Sequence, residues 1–196
     1  IIRYNPQRLT EIPGIGEKTA ETISESFNEN REVMETIVYL SNFGISSTYA
    51  MRIYKVYKNN SINIIKENPY QIISDVPGMG FKTADAIAMS VGIERDSTFR
   101  VMAGVNYALG SCYRDGHVYL SEDVLIQKAS SLLMVEKELV EHQIGELVLK
   151  GEIKLQIIDE ERVYYSAALF KAEENVANTL VRLNNYEYEK ERIDID

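Results

Sequence analysis

Apolar residues in the first half of this chain recur at three- and four-residue spacing over 17–28, 31–41, 46–58, 60–67 and 81–91, and each stretch predicts an amphipathic helix. Asn68-Pro69 stops one helix and starts the next, because proline has no amide donor and restricts the residue before it. Val91-Gly92-Ile93 ends the last, with Gly92 suited to a left-handed cap. The second half changes character. A long helix is expected over 98–114, with Val105, Leu109 and Cys112 on one side and Arg114-Asp115-Gly116 closing it. His117-Val118-Tyr119-Leu120 reads as a short strand. Ser121 then caps a helix whose first turn carries Glu122 and Asp123, the charge that a helix start favours. A further helix over 136–150 stops at Gly151, and 152–158 and 162–166 read as strands around Asp159-Glu160-Glu161. A last helix is expected over 167–184, followed by a polar, acidic segment with little to bury.

The turns between the early helices repeat. Ile12-Pro13-Gly14-Ile15-Gly16-Glu17-Lys18-Thr19-Ala20 and Val76-Pro77-Gly78-Met79-Gly80-Phe81-Lys82-Thr83-Ala84 share the pattern apolar-Pro-Gly-apolar-Gly-x-Lys-Thr-Ala. A degraded copy, Phe43-Gly44-Ile45-Ser46-Ser47-Thr48-Tyr49-Ala50, lies between them and lacks the second glycine and the Lys-Thr pair. From Gly14 to Gly44 to Gly78 the steps are thirty and thirty-four residues, the period of a helical pair used three times.

This pattern is that of a helix-hairpin-helix, and its chemistry follows from its residues. Glycine allows backbone angles and a close approach that a side chain would block. The first amides of the following helix lack internal partners and carry the positive end of the helix dipole, so they suit a phosphate oxygen and read no base. Gly14, Gly16, Lys18, Thr19, Gly78, Gly80, Lys82 and Thr83 are therefore the candidate phosphate contacts: the lysines add charge and the threonines add hydroxyl donors. Ile15 and Met79 are expected to plug the core. The Phe43–Ala50 copy, without its lysine, is expected to support packing. Arg52, Lys55 and Lys58 fit a groove wall or a solvated helix face equally well.

The architecture expected is mainly α. Tandem hairpins occupy 1–93, with strong copies near 12–27 and 76–91 and the degenerate copy near 43–58. A winged-helix-like α+β unit spans 94–166, since helix, strand, helix, helix and hairpin is the winged-helix order. A helix at 167–184 and an irregular acidic tail or linker at 185–196 complete the chain.

Charge confines where nucleic acid can sit. The net charge is −9, which argues against a polyanion partner for the chain as a whole. Residues 44–92 carry five bases and three acids, whereas 93–196 carry twelve bases and twenty acids. Any DNA contact belongs in the first half, and it should be weak and salt-sensitive. The predicted second helix of the winged unit carries Glu136, Glu138, Glu141 and Glu146 against Lys137 and Lys150, so a protein contact suits it better than a DNA groove. The single cysteine, Cys112, excludes an internal disulfide, fits a reducing cytoplasm and reads as a buried inert thiol. His117 and His142 have no partners at metal-ligand spacing, and no apolar run approaches the ~20 residues of a membrane helix. Gly14 to Thr19 is not a P-loop, which needs four residues before its Gly-Lys pair and a preceding strand. No catalytic, cofactor-binding or metal-binding residue is read from the sequence.

Taken together, the first hairpin, Phe43-Gly44-Ile45, Asn68-Pro69-Tyr70, Asp75 to Asp85, Gly116 to Leu120 and the last helix with Glu173 resemble the N-terminal region of long-form bacterial RecD-like helicases that lack a RecBCD complex, over about residues 1–184. That resemblance implies a parent in the superfamily 1 helicase and exodeoxyribonuclease V alpha-subunit group. Such a parent moves 5′ to 3′ on single-stranded DNA in repair or recombination, with ATP and Mg held by a motor after this region. It implies that this chain is non-catalytic and needs no cofactor of its own. Its partners would be single-stranded or forked DNA bound without sequence choice, the motor of the same parent and another repair protein. Two alternatives remain. One is a protein-interaction scaffold with vestigial hairpins. The other is a helix-hairpin-helix DNA glycosylase with Lys82 as nucleophile, which would need a carboxylate where Arg100 stands and an absent cysteine cluster.

Overall fold

The computed structural model describes Ile2 and residues 5–186, and of the tail expected over 185–196 the part from 187 onward lies outside the described residues. The chain divides into two compact units, 1–100 and 101–196.

The first unit is helical. A 3₁₀ turn at Pro6–Glu11 precedes α1 (Glu17–Ser41), α2 (Ser47–Tyr57), α3 (Ser61–Glu67), α4 (Ile72–Asp75) and α5 (Phe81–Ser90). Leu40, Ala50, Ile53, Ile65, Ile72, Ala84 and Ala88 are fully buried and supply its core. Each large aliphatic among them stabilises the fold by about 1.5–3 kcal/mol relative to exposure. The two helices expected over 17–28 and 31–41 are one helix, α1. No glycine or proline separates the two stretches, and Asn30 Nδ2 donates to the Ser26 carbonyl at 2.9 Å, so its polar side chain continues the helix surface. Gly92 takes a φ of 88°, and Ile93 N donates back to Ala88 O at 3.0 Å, a left-handed helix stop.

α6 (Thr98–Ser111) leads into the second unit and passes into a 3₁₀ turn at Cys112–Asp115. The helix expected over 98–114 thus tightens in its last turn before Gly116, whose φ is 82°. β1 (Tyr119–Ser121), α7 (Glu122–Leu133), α8 (Lys137–Lys150), β2 (Ile153–Ile158), β3 (Glu161–Ser166) and α9 (Ala167–Asn184) follow. The sheet is antiparallel in the order β1-β3-β2, with Leu120 opposite Tyr164 and Ile153 opposite Ser166. Leu125, Ala129, Leu133, Val140, Leu147 and Ile153 pack its interior. Gly104 lets α6 approach α7, since a Cβ there would stand 2.6 Å from Leu133 Cδ1. Ser121 occupies the N-cap position of α7, but its side chain makes no capping hydrogen bond, contrary to the capping role expected for it. The fold class is mainly α with a small α+β unit, as the sequence pattern indicates.

Candidate nucleic-acid interface

Both strong hairpins turn in the same way. Ile15 N donates to Ile12 O at 3.1 Å, and Met79 N donates to Val76 O at 3.1 Å. In each four-residue turn proline is second and glycine third, with φ of 91° at Gly14 and 77° at Gly78. This is the type II pattern, in which proline presets one angle and only glycine takes the other without strain. Met79 is buried and Ile15 is half-buried, so both turns anchor themselves by the apolar residue after the glycine.

The helices that follow start uncapped. Gly16 and Gly80 are the N-caps of α1 and α5, and neither start carries a side-chain cap. In the first hairpin Ala20 N returns to Gly16 O at 2.9 Å, and the amides of Glu17, Lys18 and Thr19 make no hydrogen bond among the described residues. In the second, Thr83 N and Ala84 N both return to Gly80 O, and the Lys82 amide makes none among the described residues. Gly14, Gly16, Gly78, Gly80, Lys18, Thr19 and Lys82 are exposed, and Thr83 is half-buried. Neither lysine forms an ion pair among the described residues, and neither threonine hydroxyl has a hydrogen-bond partner among them.

The middle copy differs in kind. Gly44 has a φ of 74°, but it ends α1: Gly44 N donates to Ser41 O and Ile45 N to Leu40 O. Ser46 then caps α2, its Oγ accepting from Tyr49 N at 3.4 Å. The serine that replaces the second glycine therefore takes up a helix-start donor, and Ile45 is buried.

The second hairpin is braced from beneath. Asp85 on α5 accepts from Tyr70 Oη at 2.6 Å, Arg100 Nε at 2.9 Å and Arg100 Nη2 at 3.2 Å. Arg100 Nη1 donates to the Arg95 carbonyl at 2.8 Å. Burial, then the bond to Asp85, raises the Tyr70 phenol well above its ordinary range. Tyr70 also stacks on Phe81, with centroids 6.2 Å apart. Sequence reasoning placed Arg100 only as a residue of the wrong charge for base-release chemistry; it is a buried structural cation.

Outside the hairpins, α8 offers a poor surface to a polyanion. A groove of about 720 Å³ beside it is lined by Glu122, Asp123, Glu141 and Glu146 against Arg162. Arg162 is engaged by Glu122 at 3.4 Å, and Tyr164 Oη donates to the same carboxylate at 2.8 Å. Cys112 is buried, its Sγ 3.4 Å from the His117 carbonyl. Among the described residues no group of three or more His, Cys, Asp and Glu side chains could hold a metal, and no helix is long and apolar enough to cross a membrane.

Comparison with known proteins agrees with this geometry. Residues 29–119 match the model of the ATP-dependent RecD2 DNA helicase HHH domain, and residues 1–29 match that of a SAM-like helix-hairpin-helix tandem. Over 109 residues the chain is 25% identical to the ATP-dependent RecD2 DNA helicase of Deinococcus radiodurans. Residues 29–119 are thus similar to the helix-hairpin-helix domain of RecD2 DNA helicases. The alignment covers 56% of this chain and 15% of that relative's length. The RecD2-type match spans the degenerate copy, the second strong hairpin and the start of the second unit, whereas the first hairpin falls under the more general model.

Proposed function

We propose that this chain is a non-catalytic region of an ATP-dependent DNA helicase that holds the nucleic-acid backbone while a motor elsewhere in the parent does the work. The observation that carries this reading is the pair of exposed Pro-Gly turns, each leading into an uncapped helix with an unpaired lysine. Amides, hydroxyls and ammonium groups there meet phosphate oxygens and touch no base edge, so binding is independent of sequence. Single-stranded or forked DNA is the substrate expected, and repair or recombination is the setting that fits. The parent motor would hold ATP and Mg; the residues here do not fit a nucleotide, because Gly14 to Thr19 joins a 3₁₀ turn to a helix, with no strand before it among the described residues. The acidic groove at α8 supports a protein-facing role for the second unit, toward the motor or another repair protein. A cytoplasmic location suits all of these partners.

Fluorescence anisotropy with a labelled single-stranded oligonucleotide tests the reading. Affinity should fall steeply as salt rises, and Lys18→Ala/Lys82→Ala should weaken binding by about tenfold or more at low salt. Undetectable binding at low salt, or affinity unchanged in the double variant, would refute the phosphate grip and favour a scaffold with vestigial hairpins.

A further inference from the structure

The two strong hairpins share a sequence but not a setting. Around Gly14 nothing lies within 4 Å of where a Cβ would stand. Beside that hairpin a groove is lined by Glu17, Glu21 and Glu25, and residues 1–43 carry four bases against seven acids. At Gly78 the same construction finds Arg52 Nη1 at 3.1 Å. Arg52 is on α2, the helix of the degenerate copy, and is exposed. It forms no ion pair among the described residues; its guanidinium lies over the Tyr49 ring, 6.0 Å from the centroid. A second contact ties the same helix to the hairpin: Tyr57 Oη donates to Asp75 Oδ2 at 2.8 Å, joining α2 to α4. Ser74, Tyr57 and Gln71 all hydrogen-bond Asp75 and hold its carboxyl below the usual carboxylate range, so this acid is engaged beside the turn.

We infer that Arg52 is a phosphate-binding residue of the second hairpin, and that Arg52 and Lys82 together make this hairpin, not the first, the principal grip on the backbone. The inference rests on reading the hairpins as phosphate sites and adds a residue that the repeated motif does not contain. A guanidinium presents a planar fork of donors that matches two phosphate oxygens, which an ammonium cannot do. Gly78 takes a positive φ, and a side chain there would stand 3.1 Å from Arg52 Nη1, so the guanidinium would have to shift by a few tenths of an ångström. The degenerate copy has given its own helix start to Ser46 and lends a cation to its neighbour.

The test is anisotropy on the 196-residue chain with a labelled 20-nucleotide single strand, from about 50 to 300 mM salt. Arg52→Gln should weaken binding by roughly three- to tenfold and lower the slope of log K against log salt by about 0.7, one phosphate's share on a single strand. Arg52→Lys should keep that slope and lose part of the affinity. Lys18→Ala should change affinity less than Lys82→Ala does. Arg52 is exposed and unpaired, so melting temperatures of both its variants should match the parent chain. If Lys82→Ala weakens binding but Arg52→Gln does not, the Arg52 assignment is wrong and the hairpin reading stands. If Lys18→Ala costs as much as Lys82→Ala, the ranking of the hairpins is wrong. If the unsubstituted chain binds no DNA, the underlying reading falls and the inference with it.

Discussion

A single methyl group separates the two roles of Gly78. Gly78→Ala must hold φ near 77° and also push against Arg52 Nη1, whereas Gly14→Ala meets the backbone penalty alone at φ of 91°. The backbone penalty is about 1–2 kcal/mol at either site. Urea denaturation should therefore find both variants destabilised by about that much. Only Gly78→Ala should also weaken DNA binding by displacing the guanidinium; equal binding losses in the two would argue that Arg52 is a bystander. The glycines are legible in the sequence because Pro-Gly followed by an apolar residue specifies a turn within four positions. Arg52 is not. Its role depends on α2 passing the turn of a hairpin twenty-six residues later, and the sequence alone leaves a groove wall and a solvated helix face equally open for it. Arg100 was hidden for the same reason: its partners, Asp85 and the Arg95 carbonyl, are fixed only by the fold.

At the scale of elements, periodicity located the helices well and their junctions less well. α1 merges two expected helices because polar residues interrupt the apolar pattern without any backbone breaker. The end of α6 tightens into a 3₁₀ turn that apolar spacing does not announce. The strand pair β2–β3 lies where it is expected, but its connection is the two residues Asp159-Glu160, both with positive φ, because Glu161 joins β3 and is not part of the turn. In this unit Tyr164 on β3 is the element-level lock, since it holds Glu122 at the start of α7. Burial, then the bond to Glu122, pushes its phenol up to about 12. Because the folded value lies above the unfolded one near 10, the neutral phenol contributes its full stability below pH ~10 and loses it as pH rises toward 12. Tyr164→Phe should lower stability at pH 8 by about 1.5–3 kcal/mol, the scale of a hydrogen bond to a charged group, and flatten the loss between pH 10 and 12. Circular dichroism melts across that range check it; an unchanged alkaline slope would contradict the lock.

Across the whole molecule, charge assigns the labour. A chain of net −9 holds a polyanion only where its fold gathers cations, and residues 44–92 are its basic stretch. On the proposed reading, the acids beside α8 disfavour nucleic acid on the second unit and suit that surface to protein. α9 adds exposed Val176, Leu180 and Leu183, and none of its residues is buried. The most direct test of the central claim is an amide chemical-shift titration of the isotopically labelled chain with a short single-stranded oligonucleotide at low salt. The account predicts the largest changes at Gly78 to Thr83, smaller ones at Gly14 to Thr19, and little along α8 and the β2–β3 hairpin. Changes centred on α8, or none at either glycine turn while the oligonucleotide is bound, would contradict it.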